Sequence, residues 1–346
     1  MRIPFLDWLR IFAFVSVFIG HKFGTEITAL AQDPNAHATL RLIAATSTPL
    51  WDGGGAGVVV FFLVSGYIIS HVLQQENVAE FAIKRVFRIY PLYIFAVLLH
   101  HFGRWIIQGH GVSFPTLLGE MSLFGDFLHV SPSLGGVEWT LRIEILFYIF
   151  MAACKALGLL NGQWQRFFPP VLAACGFCLL NMTAFPTFYP PTRGYVTLYA
   201  PMLLIGALFH LRDRGQISSL LLIGASTALF LDHLVVLPRI NDPFMNSHFT
   251  LAGLLIFTAL WLVRSRLSLP GWALWLSNLT YSVYLFHDWL FNFFLSASKA
   301  LPIGGLGANV LAVGLLIASC VVASRVVERP AIRYGRRVAA NITGKD

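Results

Sequence analysis

Apolar segments of about twenty residues recur from one end of this 346-residue chain to the other. A segment of that length is what an α-helix needs to cross the hydrocarbon core of a bilayer. Inside that core every backbone N–H and C=O group must be paired within the protein, which restricts spanning structures to helices and closed barrels. The short alternating segments typical of a barrel strand are absent. The sequence therefore predicts an all-α, polytopic integral membrane helical bundle.

Ten membrane spans are expected, and an even number places both termini on the same side. Sixteen of the 24 Lys and Arg residues would then lie on that side and seven on the other, with one inside the first span. Because positive loops face the cytoplasm, cytoplasmic N- and C-termini are predicted. The spans are 6–24, 54–73, 86–103, 139–159, 168–185, 195–211, 217–234, 248–263, 271–295 and 306–326.

Composition narrows the function classes further. Apolar residues make up 57% and charged residues 12% of the chain, which excludes a soluble globule. The net charge of +8 comes from basic residues in short loops between apolar runs, so a nucleic-acid partner is not expected. No linker leads to a soluble domain, and residues 1–346 are predicted to form a single membrane domain. The four cysteines lie in apolar segments without polar neighbours, so no metal site is expected.

The first apolar segment carries two ionisable residues that membrane helices ordinarily exclude, Arg10 and His21. Their separation of eleven residues is about three helical turns, so both lie on nearly the same face, about 16 Å apart along the axis. This arrangement suggests that both side chains line one internal path through the protein. The alternative is that Arg10 snorkels to one membrane surface and His21 ends the helix at the other.

The second span begins with a glycine-rich run and continues to Ser65, Gly66 and Tyr67. Glycines permit close backbone approach, either to a neighbouring helix or to a ligand. Ser65 is a candidate donor to a substrate, although a serine in a membrane helix often bonds to its own helix instead.

Two arginines, Arg85 and Arg88, open the third span beside Lys84 and share one helical face. Guanidinium groups bind phosphate through paired hydrogen bonds, so these residues are a candidate anchor for a phosphorylated ligand. A stop-transfer flank that touches lipid phosphates would have the same sequence, and both interpretations stay open.

A carboxylate, Glu144, lies well inside the otherwise apolar fourth span, after Trp139 and Arg142. A charge buried there is costly unless it is paired or protonated, which makes Glu144 a functional-site candidate. Arg142 is two residues away and points to a different side of the helix, so it is a poor partner.

The ninth span supplies Tyr281, Tyr284 and His287 at intervals of three residues. An aromatic belt would explain tyrosines at a membrane surface. A polar stripe two turns long is more typical of a cavity lining, and we expect these residues to line a substrate pocket.

Together these stretches resemble the membrane acyltransferase-3 family. The arginine and histidine with ten residues between them in the first helix match at Arg10 and His21, and the Gly-Val-x-x-Phe-Phe-x-x-Ser-Gly-Tyr segment matches at 57–67. The segment 84–93 resembles the family's arginine-proline-tyrosine segment, and 139–148 resembles its Trp-Ser-Leu-x-x-Glu segment. The Tyr-x-x-Tyr-Leu-x-His segment at 281–287 and the closing Glu-Arg-Pro at 328–330 complete the set. Thr140 stands where serine is usual, and Arg142 stands where a small or hydrophobic residue is usual.

The resemblance implies a multi-pass enzyme of the bacterial inner membrane that O-acylates an extracytoplasmic or lipid-linked glycan such as an exopolysaccharide. The acyl group, most often acetyl, would come from cytoplasmic acyl-CoA as a co-substrate, with no permanently bound cofactor. The donor would be held by Arg85, Arg88 and Arg10. His21 would act as general base or carry the acyl group, Glu144 would orient the imidazole or share its proton, and Ser65, Trp139, Tyr281, Tyr284 and His287 would line the substrate pocket.

Three other interpretations remain open. Intramembrane charges also mark transport paths, so a transporter or flippase of a lipid-linked sugar is the main alternative, although no inverted repeat is evident. A non-catalytic partner in a polysaccharide-assembly machine is another. Acylation of a small secreted metabolite is a variant of the enzymatic hypothesis.

Overall fold

The computed structural model describes residues 2–186, 194–240 and 247–344, and within these ranges all regular secondary structure is helical, with no β-strand. Fifteen α-helices lie in the described ranges. They are α1 Pro4–Gln32, α2 Ala38–Trp51, α3 Gly55–Gln75, α4 Val78–Gln108, α5 Phe114–Met121, α6 Glu138–Ala156, α7 Phe168–Asn181, α8 Tyr195–Asp213, α9 Ser219–Ile240, α10 Ser247–Leu262, α11 Gly271–Ser277, α12 Thr280–Phe286, α13 Trp289–Lys299, α14 Gly304–Ala323 and α15 Arg329–Thr343.

The helices fall into two compact units, each made from two separate stretches of chain. The first unit comprises residues 1–76 and 143–277, and the second comprises 77–142 and 278–346. Helix α6 begins in the second unit and continues into the first at Ile143.

In the first unit α3 is the central helix and packs against α1, α8 and α10. Most of its residues are buried, and it is apolar on all sides, as a helix surrounded by other helices should be. Glycines set its close contacts. A Cβ added to Gly66 would collide with the carbonyl of Leu203, and one added to Gly206 would collide with the carbonyl of Leu63. The antiparallel helices α3 and α8 therefore touch backbone to backbone.

Helix α1 also runs antiparallel to α3. Gly20 lies against the backbone of Trp51 and Gly54, where Gly53 and Gly54 have φ of 56° and 70°. Further along, the Ser16 hydroxyl donates to the carbonyl of Leu50 at 2.5 Å and accepts from the N–H of Gly57 at 3.1 Å. The glycine-rich run thus serves helix packing at these positions.

In the second unit α4 packs against α15, and α14 packs against α12 and α13. Asn77 caps α4 by accepting from the N–H of Glu80, and Gly109 ends the helix with φ of 70°. Gly335 of α15 lies directly on the side chain of Phe87. The π-helical turn Ser324–Glu328 joins α14 to α15 without interrupting the helix.

Five described helical segments are long and apolar enough to cross a membrane. They are Pro4–Gln32, Ala38–Gln75, Tyr195–Asp213, Ser219–Ile240 and Gly304–Thr343, and His248–Leu262 is apolar but shorter. This supports an all-helical membrane protein. The number of ten spans and the side on which the termini lie stay predictions.

Three stretches differ from the sequence-based prediction. The expected loop 25–53 is mostly helical, because α1 continues to Gln32 and α2 follows. The expected loop 103–138 contains the end of α4 and all of α5. The expected span 271–295 is broken into α11, α12 and α13 at Asn278 and at Asp288, residue types that compete for backbone hydrogen bonds inside helices.

Candidate functional site

The sequence-predicted site residues are divided between the two units. Arg10, His21, Ser65 and Glu144 belong to the first unit. The second unit contains Arg85, Arg88, Trp139, Tyr281, Tyr284 and His287.

In the first unit α1 carries both Arg10 and His21 on one continuous helix. Arg10 lies 3.9 Å from Asp7, a buried carboxylate that accepts a hydrogen bond from the Ser277 hydroxyl at 2.5 Å. Asp7 therefore links α1 to α11 and is the acidic partner of Arg10. Sequence reasoning missed this role, although the three-residue spacing of Asp7 and Arg10 on a helix was a signal for it.

His21 lies on the exposed part of α1, next to Gly20. The contact of Gly20 with Gly54 places His21 near the start of α3. An exposed imidazole at the end of a packed helix pair is accessible to a ligand.

Glu144 lies in a buried cluster of hydroxyl groups. Its Oε1 accepts a hydrogen bond from Ser65 of α3 at 2.9 Å and another from Tyr148 of its own helix at 2.5 Å. All three side chains are less than a tenth exposed. Two hydroxyl donors from two helices therefore hold one oxygen of this buried side chain. Tyr148 was not predicted, although its position one turn after Glu144 was a signal for the contact.

The structure brings Ser65 to Glu144 but does not bring His21 to Glu144. His21 lies level with the start of α3 near Gly54, whereas Ser65 is eleven residues further along, about 16 Å at 1.5 Å per residue. A direct hydrogen bond between His21 and Glu144 is incompatible with that separation. The two predicted catalytic residues occupy opposite ends of the α1–α3 contact.

In the second unit a chain of polar contacts joins the start of α6 to α12. The hydroxyls of Thr140 and Tyr284 lie 2.5 Å apart, and Tyr284 also donates to the carbonyl of Val137 at 3.1 Å. His287 is buried, and its Nδ1 lies 2.7 Å from the carbonyl of Tyr284. Because a carbonyl only accepts, Nδ1 carries the proton, and in neutral His287 the lone pair is on Nε2.

The loop before α6 is held by that helix's own charged residues. Glu138 accepts from the N–H groups of Ser133 and Leu134 at 2.9 and 2.8 Å, and Arg142 donates from Nε to the carbonyl of Leu123 at 2.6 Å. Trp139, which lies between these two residues in the sequence, is half-buried. Arg142 thus points away from the Glu144 side of α6, as the two-residue spacing predicted.

The two arginines at the start of α4 are both partly exposed. The Arg85 guanidinium lies 5.3 Å from the centre of the Phe81 ring, and Lys84 forms an ion pair with Glu80 at 2.7 Å. Tyr281 donates to the carbonyl of Ile89 at 2.7 Å, close to Pro91 inside the helix. Two of the three predicted donor-binding residues therefore lie on the stretch of α4 that Tyr281, a predicted pocket residue, contacts.

Among the described residues no group of three or more His, Cys, Asp and Glu side chains is arranged to hold a metal ion. A groove of about 410 Å³ opens beside the Glu144 cluster, lined by apolar residues and two cysteines from α6, α7 and α8. Ile143, Leu146 and Phe147, which flank Glu144 on α6, form one of its walls.

Comparison with known proteins gives consistent results. The model of the acyltransferase-3 family, described as an acyltransferase domain, matches residues 3–326. The exopolysaccharide production protein ExoZ of Rhizobium meliloti is 29% identical over 318 residues, which cover 84% of this chain and 94% of ExoZ. An O-acetyl transferase of Shigella phage Sf6 is 28% identical over 124 residues, 32% of this chain and 37% of the phage protein. No solved structure matches the chain.

Proposed function

The chain belongs to the acyltransferase-3 family and is an acyltransferase, and on that premise we propose that it transfers a short acyl group, acetyl in the first instance, from acyl-CoA to a hydroxyl of a glycan. The acceptor is an extracytoplasmic or lipid-linked saccharide such as an exopolysaccharide, and the enzyme acts in the inner membrane of a bacterium.

The observation that carries this proposal is the similarity to ExoZ, which covers 84% of this chain and 94% of ExoZ. The name of that relative refers to exopolysaccharide production, and the name of the phage relative refers to O-acetyl transfer. The two names together support an acetyl ester on a polysaccharide.

In the proposed reaction His21 supplies the base. Its unprotonated ring nitrogen takes the proton of the acceptor hydroxyl while the hydroxyl oxygen attacks the thioester carbonyl. The carbon–sulfur bond then breaks, and the CoA thiolate leaves and receives the proton. In the alternative sequence the imidazole attacks the thioester carbonyl, the carbon–sulfur bond breaks and the CoA thiolate leaves. The acceptor hydroxyl oxygen then attacks the acyl-imidazole, the carbon–nitrogen bond breaks, and the released imidazole takes the hydroxyl proton. The exposure of His21 suits either sequence.

Glu144 takes a different role from the direct orientation of His21. Its position suits a buried acceptor that fixes the hydroxyl of Ser65, at the middle of α3, and the hydroxyl of Tyr148 on α6. The ring centres of Phe5 and Tyr67 are 5.4 Å apart. The part of α1 that carries Asp7 and Arg10 therefore lies close to Tyr67 of α3. We assign Arg10, together with Arg85 and Arg88, to the phosphate groups of the donor.

Trp139, Tyr281, Tyr284 and His287 are assigned to the acceptor. Aromatic side chains with polar tips bind sugars by covering the apolar ring face and hydrogen-bonding to hydroxyls. The contact between the Thr140 and Tyr284 hydroxyls holds the Tyr284 ring in place, and the contact of Nδ1 with the Tyr284 carbonyl holds the His287 ring.

The test is mass spectrometry of surface glycans from cells that lack the gene, complemented with the native chain, with His21→Ala or with His110→Ala. His110 is an exposed histidine outside the site and serves as the matched control. We expect the acyl ester to return with the native chain and the control but not with His21→Ala at equal membrane expression. Unchanged glycans in the deletion strain would favour metabolite acylation or transport, and rescue by His21→Ala would remove His21 from the mechanism.

A further inference from the structure

A groove of about 520 Å³ runs along the exposed side of the first unit between α9 and α10, with Phe209 of α8 as its floor. It extends along α9 from Ser219 to Phe230, about 16 Å at 1.5 Å per residue. That length is about half of the roughly 30 Å hydrocarbon thickness, which is the depth of one leaflet. The groove is therefore long enough for one lipid tail.

The polar groups of the groove include Ser219 and Trp261, which lie at the end where α8 and α10 finish and α9 begins. At this end Arg212 donates from Nε to the Ser219 hydroxyl at 2.9 Å. The Arg264 guanidinium lies 4.2 Å from the centre of the Trp261 ring and forms an ion pair with Asp213 at 2.6 Å. The connections after α8 and α10 also contain Arg214 and Arg266, so this part of the chain has four arginines and one aspartate.

Arg212 has no carboxylate within ion-pair distance among the described residues, and Asp213 is occupied by Arg264, Tyr67 and Trp261. Deeper in the groove the buried hydroxyl oxygen of Ser226 has no hydrogen-bond partner in the described part of the chain. The described lining of this groove itself contains no arginine or lysine, and Arg212 is connected to it through the Ser219 hydroxyl.

We propose that this groove is a binding site for an anionic phospholipid of one leaflet, with a tail along α9 and the phosphate at Arg212 and Ser219. Apolar walls of one-leaflet length explain the tail, and the excess positive charge at one end explains selection for a negative headgroup. The site is separate from the proposed acyl transfer and does not depend on it.

The test uses phospholipids with brominated tails, which quench tryptophan fluorescence on contact. The full chain is placed in phosphatidylcholine nanodiscs that contain a minor fraction of brominated phosphatidylglycerol or of brominated phosphatidylcholine. The signal of Trp261 is the difference between the native chain and Trp261→Phe. We expect the phosphatidylglycerol to quench Trp261 about five-fold more effectively per lipid than the neutral lipid. This ratio is the gain in affinity that one arginine near an anionic lipid surface provides, which is about five-fold.

The variants decide whether the groove is responsible. Arg212→Gln removes the excess quenching, while Arg212→Lys retains most of it, and Arg239→Gln at the other end of α9 leaves it unchanged. Thr258→Phe fills the groove without touching an arginine and reduces quenching by both lipids. Equal quenching by the two lipids in the native chain, or an excess that survives Arg212→Gln, would overturn the proposal.

Discussion

Ser65 of α3 donates a hydrogen bond to Glu144 of α6 across 2.9 Å, although 79 residues separate them in the chain. This contact makes the central helix of the first unit a direct partner of the buried carboxylate. Since Tyr148 donates to the same oxygen, Glu144 is held from its own helix and from its neighbour.

The coupling between Ser65 and Glu144 can be measured with a double-mutant cycle. Glu144→Gln keeps the shape of the side chain but removes its charge, and we expect acyl transfer to fall by about 10² or more. Ser65→Ala should cause a smaller loss. Because the two residues share one interaction, the double variant should lose less than the product of the two single losses. Independent effects would show that the hydrogen bond has no role in the reaction.

Tyr148→Phe tests the second donor to Glu144. The variant leaves the carboxylate with one donor and should destabilise the purified protein by about 1.5–3 kcal/mol, the range for hydrogen bonds to charged groups. The measurement is the unfolding midpoint in detergent, with the exposed Tyr334→Phe as control. Equal midpoints for the two variants would contradict the buried contact.

Gly66→Ala tests the backbone contact between α3 and α8. The added methyl group would collide with the Leu203 carbonyl, so we expect a loss of about 1–3 kcal/mol or failure to accumulate in the membrane. Gly314→Ala is the matched control, because that helical glycine has open space around it. The control should be neutral or more stable by about 0.5–1 kcal/mol. If both variants behave alike in thermal unfolding, close packing at Gly66 is wrong.

Substitutions at the neighbouring Gly135 and Gly136 distinguish the cost of backbone strain from the cost of a steric collision. Both have positive φ, 75° and 82°, but a Cβ on Gly135 would strike the Asp288 carboxylate, whereas Gly136 has open space. Gly136→Ala should cost about 1 kcal/mol, the strain alone. Gly135→Ala should cost more and should also disturb His287, the residue next to Asp288. A comparison of the acyl-acceptor KM of the two variants distinguishes these effects.

The sequence was sufficient to predict a helical membrane protein and the family, because apolar length and the spacing of Arg10 and His21 are local features. It also predicted that Arg142 and Glu144 point to different sides of α6, since two residues on a helix differ by about 200°. Both inferences depend only on helical geometry within one segment.

Contacts between distant segments were not predictable in the same way. Nothing in the apolar pattern indicates that Ser277 binds Asp7, or that His21 lies near the start of α3 and Glu144 near its middle. The helices α2 and α5 were missed because apolar length identifies spans, not short helices between them. The break of α12 at His287 was also missed, although the Asn278 and Asp288 on either side of α12 were signals for it.

The continuous helical rod from Gly304 to Thr343 has a geometric consequence for topology. Its 40 residues measure about 60 Å, twice the hydrocarbon thickness of about 30 Å. Half of the rod must therefore project into the headgroups or into water. Arg336 is exposed on the projecting half, so a single cysteine there would be a landmark for a membrane-impermeant reagent. Labelling of the far end of the rod from one side of sealed vesicles would therefore show on which side of the membrane the C-terminal end of this helix lies.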